Sequence, residues 1–311
     1  MKKPLLLMIA FVLTLSACEE TETVNIIVPN GAPALSQIEV EYAMDELEDP
    51  QYDVEVVYGP DPLVSAFGSE SHEIIIAPLN LGAKLYTQAD APYQFAGTVT
   101  WGNLYLASGE SLESLDDLEG KTITAFGENT TPDIVLRAVL DAYTFEEDPV
   151  IEYVDGVDTA IATLSEDAGS VALVAEPALS ALEMRTETLN TVDLQNEWVS
   201  RVSEKPYPQA GVFVHADLND ATINAYIDTL KESMKMVNRD HARVGELMES
   251  LDYPFPAALM PSVIPRSNIE FKNALESKES VVHFFEVIET FNPALFGGTI
   301  PDDGFYYDYE S

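Results

Sequence analysis

Several short stretches hold residues suited to recognising a small molecule. Asn30, Gly31, Ala32 and Pro33 follow a β-branched run. The glycine lets the backbone turn, and a proline in the first helical turn loses no N–H that the helix needs. Free N–H groups at such a helix start are donors for a carboxylate, a sulfonate or a polar heterocycle. Asn80, ahead of Leu81 and Gly82, and Thr131, after Thr130, are residue types that cap helices, so as many as three helix starts could converge. The plainer reading of both is capping alone. Trp101, beside Gly102 and between Thr100 and Asn103, could be a flat wall for a planar solute or a core side chain with its indole N–H satisfied. Phe126 ends a strand next to a glycine and would add a second ring. Glu176 ends a strand of Val and Ala and could take an amino group, although docking to a partner or bonding to a helix end would equally use it. Asp133 suits the dipole of a helix first turn better than a ligand. Tyr207 either closes over a solute or packs a hinge.

What accompanies these stretches narrows the chemistry. Lys84 and Arg137 fall inside expected helices, so no bidentate arginine clamp for a doubly charged anion is evident. A neutral or amine-bearing planar solute fits better, and the helix starts leave a monoanion such as an alkylsulfonate open. His72, His215, His241 and His283 are scattered, without metal-ligand spacing. No Gly-x-Ser-x-Gly turn places a nucleophilic serine. The expectation is a binding protein, not an enzyme, without metal or cofactor.

Positioning these loops requires alternating strands and helices. Val24–Val28, Val54–Tyr58 and Ile74–Ala77 read as strands, with helical spacing after each. Leu35, Ile38, Tyr42 and Leu47 would lie along one helix. The order repeats with strands at Thr122–Phe126, Val150–Val154 and Val171–Ala175. Two such series predict two α/β lobes, each built on a mainly parallel sheet flanked by helices, with loops at the carboxyl ends of the strands meeting in a cleft. The mostly helical last third, with a strand at Gly211–Val214, is expected to pack back onto the first lobe. Lobe 1 then takes residues 24–107 and 211–311, and lobe 2 takes 108–210. The hinge crossings fall near Leu106–Glu110 and Pro206–Gly211.

Lys2 and Lys3, the apolar run Pro4–Leu15 and then Ser16, Ala17 and Cys18 follow the order of an export signal. Residues 1–17 read as a signal peptide and 18–23 as a tether. Cys18 is the only cysteine, and its setting resembles the lipobox of bacterial lipoproteins; the alternative is a plain cleaved signal. The body is expected to be a monomer outside the cytoplasm, on the outer face of the cytoplasmic membrane or in the periplasm. The net charge of -39, spread along the chain, argues against nucleic acid as a partner and suits salty surroundings that screen self-repulsion.

Taken together, Pro29–Ala34, Ile76–Gly82, Thr98–Asn103, Phe126 and Gly127 with Thr130–Asp133, Ala175–Pro177 and Tyr207–Gly211 resemble the nitrate, sulfonate, taurine and thiamine-precursor class of ABC transporter substrate-binding proteins. The resemblance runs from Val24 to Leu218 and rests on the order of the motifs. It implies the two-lobed type II periplasmic binding fold, a small-molecule solute in the interlobe cleft and an ABC permease as partner. A sensor or adhesin using the same fold is the other reading.

Overall fold

β-branched and apolar side chains fill β1 (Val24–Pro29), and most of them are buried because helices cover both faces of its sheet. The computed structural model describes residues 23–45, 51–167, 169–186, 188–253 and 255–309. The signal peptide, Cys18, all of the tether but Thr23, and Leu47 lie outside them. After β1 come α1 (Ala32–Leu35), α2 (Ile38–Asp45), β2 (Tyr52–Val57), α3 (Asp61–Ser69), β3 (Ile74–Pro78), α4 (Leu79–Ala89) and β4 (Tyr93–Thr100). The single helix expected through Leu35 and Ile38 is two, because Ser36 turns its hydroxyl onto the Pro33 carbonyl at 2.6 Å and Gln37 bonds Ser36 and Tyr226.

The second lobe follows with β5 (Leu104–Ser108), β6 (Thr122–Phe126), α5 (Thr131–Asp141), β7 (Val150–Val154), α6 (Val157–Glu166), β8 (Val171–Ala175), α7 (Ala178–Glu183), β9 (Asn190–Asp193) and α8 (Leu194–Arg201). The chain then returns through β10 (Ala210–His215), α9 (Asp220–Arg239), α10 (His241–Ser250), α11 (Met260–Arg266), β11 (Ile269–Asn273) and α12 (Ala274–Phe291). One sheet has the order β11-β4-β10-β3-β1-β2 and the other β7-β6-β8-β5-β9.

Both sheets are mixed. Pairing is parallel among β1, β2 and β3 and among β6, β7 and β8, where helices connect the strands, as the alternating pattern predicts. It is antiparallel at β4, β5, β9, β10 and β11, the strands next to the crossings. The outgoing crossing lies at Trp101–Asn103, upstream of the expected Leu106–Glu110, because Leu104–Ser108 is already paired with β8 in the second sheet. A hydrophobic alternation of β4 and β5 with almost no polar break between them hid this boundary.

Three cores hold the layers. On one face of the first sheet, α1, α2, α9, α10 and α11 bury Leu35, Ile38, Ile227, Leu247 and Ile264 among others. On the other face α3, α4 and α12 form a core that continues through Tyr207 and Trp198 to Leu106, Ile123 and Val135 of the second lobe. The far face of the second sheet packs on α6 and α7 through Ile161, Leu179 and Leu182. No helix among the described residues is long and apolar enough to cross a membrane.

Candidate functional site

Register brings the loop-bearing ends of the first sheet into one row: Ala210 lies opposite both Pro78 and Thr100, and Asn30 follows the end of β1 two strands away from β10. Across from this row stand the starts of α5 and α7 in the second lobe. The two lobes touch where the Thr131 hydroxyl donates to the Asn80 side-chain oxygen at 3.2 Å. The Asn80 amide is oriented for this by donating its N–H to the Leu295 carbonyl at 3.3 Å. Neither residue is a cap. α4 already begins at Leu79, whose N–H reaches the Gln209 carbonyl, and Thr131 is the first residue of α5. Thr130 precedes α5 and turns its hydroxyl onto the Gly127 carbonyl at 2.6 Å, while Asp133 takes the Asn129 N–H at 2.9 Å. Asp133 thus serves the first turn, as expected, and also accepts from Tyr153 and Arg137.

At the end of β1, Gly31 has φ 107, a conformation that favours glycine, and Asn30 donates its backbone N–H to Val57 at 2.8 Å. Ala32 is buried and Pro33 half-buried in the single turn of α1. Leu81 and Phe126 are half-buried against the shared core. Gly82 is a packing residue: a Cβ there would stand 2.0 Å from the Phe213 ring, so its smallness serves the sheet beneath and not a solute.

The hinge contains the largest departures from expectation. Trp101 is 4% exposed, and its indole N–H donates to the Glu270 carbonyl at 2.8 Å. The Lys272 ammonium sits 4.7 Å from its ring centroid. The ring therefore faces β11, on the opposite side of β4 from β3 and β1, and lines a cavity of about 350 Å³ with Gln195, Pro206 and Asn268 behind the crossings. The cleft wall expected of it is corrected by its place on this outer edge. Tyr207 is fully buried, edge-on to Trp198 and stacked on Phe284, so it packs the hinge. Gly102, with φ 89, has room for no side chain because a Cβ would lie 2.7 Å from the Tyr207 ring.

Gln195, which the sequence did not single out, fastens both crossings. Its amide donates to the carbonyls of Trp101 and Tyr207, and its oxygen accepts the Tyr207 N–H at 3.3 Å. Asp193 caps α8 beneath it, and burial raises the Asp193 carboxyl above the ordinary range.

Glu176 also departs from its expected role. It is 3% exposed, its carboxylate accepts the Ser180 hydroxyl at 2.9 Å and the Ser180 N–H at 3.3 Å, and so it serves the start of α7. Burial pushes its carboxyl up to about 7, against the pull of the Ser180 bonds and of Arg266. Of its two alternative readings, the helix-end one matches this geometry.

Four buried side-chain oxygens along the facing ends have no hydrogen-bond partner: Asn30 Oδ1, Thr100 Oγ1, Asn103 Oδ1 and Gln209 Oε1. Asn103 is held in place, since its N–H donates to the Glu176 carbonyl at 3.3 Å. Orphaned buried acceptors are rare and call for a donor. Asn103 and Gln209, each two residues beyond a ring, entered the sequence reasoning only as neighbours of Trp101 and Tyr207, whose rings drew the inference. Cations are scarce here: Arg137 is engaged by Asp133 at 3.0 Å and lies 4.8 Å from the Phe291 ring centroid. Among the described residues no group of three or more His, Cys, Asp and Glu could hold a metal.

Comparison with known proteins places this geometry. The model of a family described as menaquinone biosynthesis matches residues 102–252. No curated protein matches. Among solved structures, an ABC transporter protein from Parabacteroides distasonis is 23% identical, covers 93% of this chain and 99% of its own, and has a TM-score of 0.81. The periplasmic aliphatic sulphonate binding protein of Escherichia coli is 14% identical, with 87% and 86% covered and a TM-score of 0.66. The ligand-binding component of an ABC-type import system from Staphylococcus aureus, crystallised with zinc, is 13% identical, with 91% and 98% covered and a TM-score of 0.64. The chain has the two-lobed type II periplasmic binding fold shared by these ABC substrate-binding proteins.

Proposed function

We propose that the chain is the solute-binding component of an ABC importer, held outside the cytoplasm by a lipid on Cys18 and working as a monomer with a cognate permease. The observation that carries this reading is the opposition of two sheet ends that share one neutral contact, Thr131 to Asn80, beside a row of unpaired buried oxygens. Such a seam is suited to a small solute that supplies the missing hydrogen bonds. The candidate contacts are Asn30, Gly31, Asn80, Phe126, Thr130 and Thr131, joined by Asn103 and Gln209. The solute is small and polar or planar, of the pyrimidine or thiamine-precursor kind, or else sulfonate-like. With Trp101 and Glu176 committed elsewhere, Phe126 is left as the ring for a planar solute.

A thermal-shift screen of the full chain against pyrimidines, sulfonates, bicarbonate and nitrate tests this. A solute at 100 times its Kd adds about 2.7 kcal/mol to the folded state and raises the melting temperature. A flat profile across the panel would remove the proposal. The match to a biosynthetic family over residues 102–252 favours a second reading, an enzyme on the same fold. Any solute that binds is therefore incubated with the protein and followed by mass spectrometry, where conversion would favour that reading.

A further inference from the structure

We infer that Arg266 is an interlobe clasp, a cation of the first lobe gripped by two carboxylates of the second, Glu176 and Glu183, that biases the lobes towards the arrangement seen here. Its Nη1 lies 2.5 Å from Glu183 Oε2 and 3.7 Å from Glu176 Oε1. The Arg266 carbonyl accepts the Tyr105 hydroxyl at 2.9 Å, so its backbone is tied to the second lobe as well. Each end is anchored in its own core: Val263 and Ile264 of α11 in the first lobe, Leu179 and Leu182 of α7 in the second. A further ion pair between the halves, Lys205 to Glu279, has side chains 51% and 79% exposed, where solvent weakens it. The Glu176 carboxylate is wholly buried and Arg266 only one-third exposed.

The clasp answers a difficulty created by composition. Both lobes carry a large excess of Asp and Glu over Lys and Arg, so bringing them together raises their mutual repulsion. A guanidinium set between carboxylates at the junction offsets that repulsion locally. Salt does the same from outside, so the clasp matters most at low ionic strength.

Small-angle scattering of the full chain without solute reads the result, independently of whether any solute is found. Arg266→Gln and Glu183→Gln are expected to raise the radius of gyration above wild type in low salt. The difference should vanish in molar salt, and Arg266→Lys should fall in between. Equal radii in low salt, with far-UV circular dichroism unchanged, would overturn the clasp. A rise that persists in molar salt would also overturn it, because it would report a packing defect. If Arg266→Gln fails to fold, Glu183→Gln decides, since Glu183 is part-exposed and its replacement leaves the Arg266–Glu176 pair in place.

Discussion

The two lobes meet along seams of opposite chemistry. At the starts of α4 and α5 the contact is a hydroxyl on an amide oxygen, with unpaired acceptors nearby. At α7 and α11 it is a guanidinium between two carboxylates, one of them wholly buried. A neutral hydrogen bond contributes about 1 kcal/mol net, and a solute or water can replace it. A buried charge stripped of its partner costs about 3–5 kcal/mol, so the charged seam resists rearrangement. Between them the hinge is ordinary core, with Tyr207 packed among Trp198 and Phe284 and both crossings fastened by Gln195. The difference separates the side proposed to exchange a solute from the side proposed to hold the lobes together.

Three substitutions sharpen that contrast, beginning with the hinge. Tyr207→Ala removes a fully buried ring and should cost about 3–5 kcal/mol in urea unfolding. A loss under 1 kcal/mol would mean that the hinge is not core, and the contrast would fail. At the charged seam, Glu176→Gln probes the raised carboxyl. In the unfolded chain the group titrates near 4.5 and in the fold at about 7. Below 4.5 both states hold the proton. As pH rises towards 7 the unfolded chain releases it first, so stability falls, and above 7 the full penalty applies. Glu176→Gln should therefore gain on wild type by about 1–3 kcal/mol between pH 4 and pH 8. A difference between the two proteins that stays flat over this range would show that Arg266 and Ser180 already hold the carboxylate ionised.

The same division decides what the sequence disclosed. Strands and helices with a clean period, β1, β3, β6, β8 and the helices after them, were legible because burial on one side or both leaves a repeating mark. The mixed pairing was not, since β4 and β5 are both almost wholly buried and separated by only three residues, and periodicity carries no information on strand direction. Of the contacts proposed for a solute, Asn30, Asn80 and Thr131 were suggested by their loop positions. Trp101 was misplaced because a ring next to a glycine looks the same whether the glycine opens a cleft or, as Gly102 does, makes room for another ring, whereas for Tyr207 the hinge-packing reading is the one that matches its burial. Arg266 could not be found at all. It meets Glu183 across 83 residues, and no local spacing signals such a pair.

The smallest expected effect falls on the neutral seam. Thr131→Val keeps the shape of a side chain that is 7% exposed and removes the hydroxyl that reaches Asn80. Val is not a free substitute for Thr, since the Asn80 oxygen then joins the unpaired acceptors, so the loss should be about 0.5–1.5 kcal/mol in urea unfolding. Its effect on binding should be larger in relative terms, because the hydroxyl stands where the solute is proposed to bridge the lobes. Titration calorimetry with the best solute from the screen should show a fall of about tenfold in affinity, the equivalent of 1.4 kcal/mol. If Thr131→Val lowered stability as much as Tyr207→Ala, this seam would be core like the hinge. If it left both stability and affinity unchanged, the Thr131–Asn80 bond would be incidental, and the exchanging side of the molecule would have to be sought along Asn30, Asn103 and Gln209 instead.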